Sequence, residues 1–143
     1  MELAEATIQR LLEKAREAQR NAYAPYSKFY VGAAALAEDG RVFVGCNVEN
    51  ASYGLAVCAE RHAVGATVVA GMRPVALAVV GPFPGVTPCG ACRQVLAEFG
   101  LELKIVLTSP EPPGYAVTTA GALLPGAFTE GDLKGASPGA GGC

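Results

Sequence analysis

Four residues in two short stretches of the chain have the types and spacing that a catalytic zinc site needs. Glu60 follows Cys58 by two positions, and further along the chain Cys89 and Cys92 form a C-x-x-C pair. Three cysteine thiolates occupy three of the four tetrahedral positions around zinc and leave the last one open, as catalytic sites do. Glu60 would stand beside the metal without binding it. The pattern therefore predicts a hydrolytic reaction in which zinc polarises a water molecule and Glu60 deprotonates it.

Both cysteine stretches are expected to begin helices. Residues 58–70 and 89–99 have helix-like composition, so Cys58 and Cys89 fall at helix N-termini, where free N–H groups and the helix dipole stabilise thiolates. Residues 63–70 carry no charge, which predicts that this helix is buried nearly all round. Burying charged groups is costly unless they are paired or functional. The ionisable side chains in its first turn therefore indicate a functional site, and this inference does not depend on the cysteines.

Two other interpretations of the cysteines stay open at the level of the sequence. His62 lies four residues after Cys58 and would share its helical face, so that a closed structural Cys3His zinc site could form with Cys89 and Cys92. That closed site would leave the buried Glu60 without a role. A redox dithiol at the C-x-x-C pair would leave both Cys58 and Glu60 without one.

Arg61 is the nearest fixed cation to the predicted metal. Zinc brings a charge of +2 and three thiolates bring −3, so the cluster would carry a net charge that opposes the formation of hydroxide. We expect the Arg61 guanidinium to donate hydrogen bonds to the sulfur of Cys58 or Cys89 and to tune the metal site electrostatically. The alternative is an arginine that only pairs with Glu60 or with a backbone carbonyl.

The bulk composition indicates one globular domain that binds a small partner. The chain has 143 residues and a formal net charge of −2, and its Lys and Arg residues form no cluster, which disfavours nucleic acid as a partner. It has no segment of signal-peptide type and no apolar run of membrane-spanning length. We therefore predict a cytoplasmic protein without a membrane partner, in which Cys46 and Cys143 are free thiols and Cys46 is buried.

The order of the predicted elements is that of a layered α/β domain. A helix over residues 3–20 is followed by two strands that the turn at Asp39-Gly40 joins into a hairpin, and then by two helix–strand units. The predicted strands span residues 31–37, 41–46, 75–80 and 103–107, with a weaker edge strand at 115–117 and a short helix at 120–124. A single domain is predicted over residues 1–134, followed by a flexible Gly/Ala-rich tail over 135–143.

Further motifs resemble those of one family. Residues 22–29, 31–34, 45–53 and 123–128, together with the two cysteine motifs, closely resemble the small homotetrameric cytidine deaminases. The cysteine motifs alone define a broad group of deaminases, whereas the Asn-Val-Glu-Asn sequence at 47–50 narrows the match to enzymes that act on nucleosides. The resemblance covers nearly the whole chain. It implies a three-layer α/β/α cytidine-deaminase-like fold with a five-stranded mixed sheet.

The resemblance also implies how a substrate would be held. Phe29 would stack on the pyrimidine, and the backbone N–H of Ala59 would meet the base. Asn47 and Glu49 would bind the ribose 3′-hydroxyl, for which an amide and a carboxylate are suitable because one donates and both accept. Residues from neighbouring subunits of a homotetramer would complete the pocket, namely Ala51, Tyr53 and Phe128.

The activity implied by the resemblance is hydrolytic deamination in pyrimidine salvage. Cytidine and deoxycytidine would become uridine and deoxyuridine, through attack of zinc-activated hydroxide at C4 with Glu60 as the proton shuttle. One zinc ion per chain would be bound by Cys58, Cys89 and Cys92. Deaminases of the blasticidin type share the metal motifs and are the alternative enzyme, but the full sequence at 47–53 favours the cytidine enzymes.

Overall fold

A computed structural model of the chain describes residues 2–135, in which one five-stranded sheet lies between two layers of helices. The helices are α1 (Glu5–Gln19), α2 (Ala59–Val69), α3 (Gly90–Ala97), α4 (Ala120–Leu123) and α5 (Glu130–Lys134). The strands are β1 (Gly32–Ala37), β2 (Val42–Cys46), β3 (Pro74–Val80), β4 (Lys104–Thr108) and β5 (Tyr115–Thr119). A short 3₁₀ turn at Tyr53–Leu55 precedes α2. Within residues 2–135, no helix combines the length and apolar character needed to cross a bilayer.

The sheet is mixed, with the strand order β2-β1-β3-β4-β5. Strands β3 and β4 are parallel and are joined by the crossover helix α3, whereas the other neighbouring pairs are antiparallel. The register pairs Gly32, at the start of β1, with Cys46 at the end of β2 and with Val80 at the end of β3. These strand ends therefore lie side by side, and we call the border of the sheet that they form the site edge.

Alternate residues of the central strands face the two helical layers. In β1, Ala33 and Ala35 pack in the core with α2 and α3, whereas Ala34 and Leu36 pack in the core with α1. Strand β3 follows the same alternation and is buried along nearly its whole length, as expected for a strand covered on both faces. Helix α1 covers its face of the sheet with one apolar stripe, formed by Ile8, Leu11, Leu12 and Ala15.

Two glycines allow both helical layers to lie very close to the sheet. A Cβ atom on Gly32 would lie 1.9 Å from the carbonyl oxygen of Ala15 in α1. A Cβ atom on Gly45 would lie 2.4 Å from the carbonyl oxygen of Ala59 in α2. Side chains at these positions would push helix and strand apart. Gly45 therefore holds the first turn of α2 against the end of β2, at the site edge.

The three-layer fold and the five-stranded mixed sheet agree with the prediction, but the burial of α2 does not. Val69 is 89% exposed and Val68 is half exposed, so the helix is not buried nearly all round. The reason is that α2 packs on the sheet with one side only, and the lack of charge on its other side does not by itself bury it. Cys46 is half-buried, less than expected, because β2 is the outermost strand of the sheet.

The C-terminal part of the chain differs most from the expectation. The edge strand and the short helix α4 form as predicted, but α5 and the 3₁₀ turn at Tyr53–Leu55 were not expected. A capping box between Thr129 and Asp132 begins α5, which is a signal that the sequence does contain. Residues 136–143 of the predicted flexible tail, with Cys143, lie outside the described residues.

Candidate active site

Three cysteine sulfurs meet at the site edge. The Sγ atoms of Cys58, Cys89 and Cys92 lie within 4.8 Å of one another, and those of Cys58 and Cys89 are 3.8 Å apart. Ligands at the usual Zn–S length, arranged as a tetrahedron, are separated by about 3.8 Å. The donor type and the spacing therefore fit zinc with one position left open. In the part of the chain that the structure describes, no other group of three potential metal ligands occurs.

Helix N-termini position all three sulfurs, and for Cys58 and Cys89 the sequence predicts this. Cys58 is the N-cap residue of α2, and Cys89 is the N-cap residue of α3. Cys92 lies in the first turn of α3 and is fully buried. Two helix dipoles therefore direct their positive ends at the thiolate group, which stabilises its negative charge.

Contacts among the thiols shift the pKa values of Cys58 and Cys92 in opposite directions. The pKa of Cys58 is lowered to about 5, first because its sulfur accepts a hydrogen bond from Cys92, and further because Arg61 and Cys89 bond to it, against the opposing effect of burial. The pKa of Cys92 is raised, because its thiol is the donor in that bond and because it is buried. Neighbouring thiols thus favour one thiolate even before a cation binds, which favours metal binding because thiolates are the ligating form.

Glu60 lies in the first turn of α2 and is only 5% exposed. Burial raises the pKa of its carboxyl group to about 7, and the neighbouring charge of Cys58 adds to this effect. A carboxyl group with a pKa near neutrality can both accept and return a proton under physiological conditions. Glu60 lines the same cleft as Cys58 and Cys89 and is not part of the cysteine ligand group.

Arg61 contacts the thiolate group directly. Its Nη2 atom lies 3.5 Å from the Sγ atom of Cys58, and the guanidinium pKa is raised because of this hydrogen bond. Among the described residues, the Arg61 Nε atom is buried without a hydrogen-bond partner. The expected contact with cysteine sulfur is therefore present, whereas the described residues contain no salt bridge between Arg61 and Glu60.

His62 faces away from the sulfurs. Its Nδ1 atom lies 2.8 Å from the carbonyl oxygen of Cys46 at the end of β2, and it is absent from the group of clustered ligands. The closed Cys3His site that the sequence left open is thus not formed. His62 instead ties the first turn of α2 to the outer strand.

A cleft of about 170 Å³ opens beside the sulfurs. Three of the predicted substrate-binding residues line it, namely Phe29, Asn47 and Ala59. The cleft is also lined by Val31, Cys58, Glu60, Val86, Thr87 and Cys89. Two of the three clustered cysteines, the buried Glu60 and an aromatic side chain therefore share one cavity, although they come from three separate segments of the chain.

The side chains of Asn47 and Glu49 both form hydrogen bonds with the segment that carries Phe29. The Asn47 amide accepts from the N–H of Val31 at 2.9 Å and donates to the carbonyl of Phe29 at 2.8 Å. The Glu49 carboxylate accepts from the backbone N–H groups of Tyr26 and Ser27 and from the Ser27 hydroxyl, and the pKa of Glu49 is lowered, first by that hydroxyl. An amide and a carboxylate retain further lone pairs and N–H groups for a ligand.

The residues expected to serve neighbouring subunits lie outside the cleft. Glu49, Asn50 and Tyr53 line a second, wider cavity of about 350 Å³. Ala51 is exposed, Tyr53 is highly exposed, and Phe128 is half exposed with its carbonyl bonded to Gln94. Ala51, Tyr53 and Phe128 are not among the residues that line the cleft beside the sulfurs of their own chain.

Arg93 is a site residue that sequence reasoning missed. Its guanidinium donates to the carbonyl of Pro88 at 2.7 Å, to the hydroxyl of Thr87 at 3.1 Å and to the carbonyl of Leu123 at 2.8 Å. It therefore joins the loop before Cys89 to the end of α4. The only signal in the sequence was its position directly after the last cysteine ligand.

Comparison with known proteins identifies the family. Residues 5–108 match the family model described as the cytidine and deoxycytidylate deaminase zinc-binding region. A cytidine deaminase of Sporosarcina psychrophila is 48% identical over 130 residues, which cover 89% of this chain and 95% of that protein. A cytidine deaminase of Mycobacterium tuberculosis is 50% identical over 121 residues, which cover 83% of this chain and 87% of that protein.

Solved structures agree with the sequence comparison. The crystal structure of a cytidine deaminase from Burkholderia pseudomallei superposes with a TM-score of 0.78 at 50% identity, covering 88% of this chain and all of the other. The enzyme from Mycobacterium tuberculosis gives 0.72 at 48% identity, covering 84% of this chain and 95% of the other. The fold and the thiolate site are therefore those of the zinc-binding deaminases. The chain belongs to the cytidine deaminase family, and Cys58, Cys89 and Cys92 are the group that holds its zinc.

Proposed function

We propose that this chain is a zinc-dependent hydrolase that converts cytidine and deoxycytidine into uridine and deoxyuridine in pyrimidine salvage. The observation that carries the proposal is the cleft that Cys58, Glu60 and Cys89 line together, with the buried Cys92 completing the sulfur group behind it. A closed structural zinc site would leave the buried Glu60 carboxyl group without a chemical role. Relatives that are named cytidine deaminases along nearly their whole length support the same activity.

Zinc bound by the three thiolates would supply a Lewis acid that lowers the pKa of a water molecule in its open position. Glu60 accepts the proton that this water gives up and delivers it to the pyrimidine. The first proton goes to the ring nitrogen N3 as the C4–O bond forms. Glu60 then moves the remaining proton of the new hydroxyl group to the amino group, so that the C4–N bond breaks, ammonia leaves and a C4 carbonyl remains. Burial of Glu60 supports the assignment, because its raised pKa suits a group that must both take and return a proton.

The negative charge of the thiolates must be offset for this chemistry. Arg61 donates to the Cys58 sulfur, and the N-termini of α2 and α3 point at the same group. Fixed positive potential at these sulfurs reduces the electron density they give to a cation, and so favours loss of a proton from water. Arg61 therefore tunes the site without binding metal or substrate.

The nucleoside is held by residues around the cleft. Phe29 stacks on the pyrimidine, and the Ala59 N–H, at the start of α2, meets the base. Asn47 and Glu49 bind the ribose 3′-hydroxyl with the lone pairs and N–H groups that their internal bonds leave free. Because cytidine and deoxycytidine share the 3′-hydroxyl, both are substrates. A formal net charge of −2 makes a nucleic-acid backbone an unsuitable partner.

The working form is a homotetramer in the cytoplasm. Ala51, Tyr53 and Phe128 contact the substrate pocket of a neighbouring subunit, which is consistent with their exposure and with their absence from the lining of the cleft in their own chain. The wide cavity beside Glu49 is open to receive such a side chain. Three thiol ligands also need a reducing compartment to remain available for zinc.

The direct test is a spectrophotometric assay of the purified, zinc-loaded protein with cytidine. We expect the cytidine absorbance to fall as uridine and ammonia appear in equal amounts. Zinc-loaded protein that leaves both cytidine and deoxycytidine unchanged would overturn the proposal.

A further inference from the structure

Phe83 lies at the mouth of the cleft, in the loop of residues 81–88 that connects β3 to α3. Two other residues of this loop, Val86 and Thr87, line the cleft. The rings of Phe83 and Phe29 form a T-shaped pair with a centroid distance of 5.8 Å and an interplanar angle of 78°. Phe83 is 57% exposed and belongs to neither core cluster, and within residues 2–135 its ring makes no other aromatic or cation–π contact.

The loop that carries Phe83 is fixed at several points. The N–H of Gly85 donates to the Thr108 hydroxyl at 3.3 Å, and Arg93 binds both Thr87 and Pro88. At Gly81 an added Cβ would lie 2.6 Å from Val86, so the two ends of the loop are packed together. A large apolar side chain on a loop held in this way stays where it can contact Phe29.

The partner ring has a fixed backbone but an exposed side chain. The carbonyl of Phe29 accepts from Asn47 and its N–H donates to the Ser27 hydroxyl, so the main chain is held on both sides. Its side chain is nevertheless 38% exposed at the edge of the cleft. A ring with this exposure keeps rotational freedom that must be lost when it stacks on a ligand, unless a neighbour already restrains it.

We propose that Phe83 is a positioning residue that holds the Phe29 ring in the orientation needed to stack on the pyrimidine of the substrate. The inference rests on the proposed function, since it concerns how the base of a nucleoside is bound. Aromatic pairs of this geometry are worth an amount of free energy that corresponds to a change of about three- to tenfold in an equilibrium constant. The pair restrains Phe29 before the substrate arrives, so binding costs less rotational entropy.

The test compares Phe83→Ala and Phe83→Tyr in the zinc-loaded full chain. We measure KM and kcat for cytidine, and by calorimetry the Kd for uridine, a pyrimidine nucleoside that does not react further. Phe83→Ala should raise both the KM and the uridine Kd by about three- to tenfold while kcat changes by less than about twofold. Phe83→Tyr keeps the ring and should restore both constants to within about twofold of the parent.

A matched control is Leu101→Ala, which also removes an exposed apolar side chain but in the turn after α3, away from the cleft residues. It should leave the KM and the uridine Kd unchanged. An active parent with unchanged constants in Phe83→Ala, or with no recovery in Phe83→Tyr, would overturn the inference alone. A zinc-loaded parent that neither binds uridine nor deaminates cytidine would overturn the proposed function and this inference with it.

Discussion

Glu60 is the residue on which the proposed chemistry depends most. Its carboxyl group is buried beside the thiolates and its pKa is raised, so an amide in its place would keep the volume but could not carry a proton. We expect Glu60→Gln to retain one zinc per chain and to lose deamination by about 10²–10⁴-fold, the usual contribution of general acid–base catalysis. Metal analysis and the cytidine assay on the same sample test this prediction.

The control for this variant is Glu98→Gln, which makes the same change at an exposed residue at the end of α3. It should keep full turnover. Near-normal deamination by Glu60→Gln would remove Glu60 from the mechanism. Loss of zinc in that variant would instead indicate that Glu60 is a metal ligand.

Arg61 offers a test of electrostatic tuning. Its guanidinium donates to the Cys58 sulfur, and Arg61→Gln removes the charge while leaving the three ligands in place. We expect the variant to retain zinc and to have a lower kcat, with a smaller change in KM, because the effect falls on the activation of water. Arg41→Gln, at an arginine that pairs with Asp39 in the β1–β2 turn, is the control. Full zinc with a parental kcat would show that Arg61 does not tune the metal.

Glu49 tests recognition of the sugar. Since a site that hydrogen-bonds a hydroxyl discriminates strongly against its absence, cytidine should exceed free cytosine in kcat/KM by about 10⁴-fold. Glu49→Gln should narrow this ratio, because the carboxylate that accepts from the hydroxyl is lost. Glu111→Gln, in an exposed turn between β4 and β5, should leave the ratio unchanged. Equal kcat/KM for cytidine and cytosine in the parent would contradict the assignment.

Among the elements, the contact of α2 with β2 determines where the site residues lie. Gly45→Ala would place a Cβ 2.4 Å from the carbonyl oxygen of Ala59, so the helix must shift away from the strand. Overpacking of this kind costs about 1–3 kcal/mol in the free energy of unfolding. We expect the variant to unfold at lower urea and to lose activity more than its remaining folded fraction explains, since the displaced turn carries Cys58 and Glu60.

Gly65→Ala is the matched control on the same helix. A Cβ at Gly65 meets nothing within 4 Å, and alanine favours helices over glycine by about 1 kcal/mol. This variant should therefore be slightly more stable than the parent. A Gly45→Ala protein as stable and active as the parent would show that the close approach is dispensable.

At the scale of helices and strands, the sequence predicts the secondary-structure elements better than it predicts the tertiary contacts between them. The helix starts at Cys58 and Cys89 and the buried strand β3 follow from local patterns, because capping positions and apolar runs depend on neighbours in the chain. The hydrogen bond from Arg93 to the carbonyl of Leu123 joins residues that are far apart in sequence, so no local pattern encodes it. The exposure of Val69 was mispredicted for the same reason, since burial depends on what packs against a helix and not on its composition.

The residues of the candidate site fall into the same two groups, those that local sequence patterns predict and those that only the fold brings together. The thiolate group was predictable because its members are few, chemically distinctive and placed at standard spacings. The residues proposed to bind the substrate come from resemblance alone and stay a prediction, and the hydrogen bonds of Asn47 and Glu49 to the segment of Phe29 were not expected. Phe83 belongs to a Pro/Gly loop without periodicity, so its pairing with Phe29 becomes visible only in three dimensions.

For the whole molecule, subunit complementation tests whether Phe128 serves a neighbour. Phe128→Ala should have low activity because it lacks the ring, and Glu60→Gln should be inactive because it lacks the base. When the two variants are unfolded and refolded together, sites with an intact Glu60 receive Phe128 from neighbouring Glu60→Gln chains. We therefore expect activity in the mixture that exceeds the sum of the two separate proteins.

Sedimentation on the same samples gives the assembly state. Mixtures of separately folded variants that do not exchange subunits are the control and should remain inactive. A refolded mixture without recovered activity, or active monomers in dilute sedimentation runs, would contradict a pocket shared between subunits.

The three ligands come from segments that meet only through the parallel pair of strands. Cys58 precedes β3 whereas Cys89 and Cys92 follow it, so the sulfurs converge only when α2 and α3 have packed on the same face of that strand. A refolding chain in which this packing is incomplete offers a metal ion at most the C-x-x-C pair. We therefore expect zinc uptake to be a late step in the maturation of the protein, so that its rate during refolding would report when the β3–α3–β4 crossover closes.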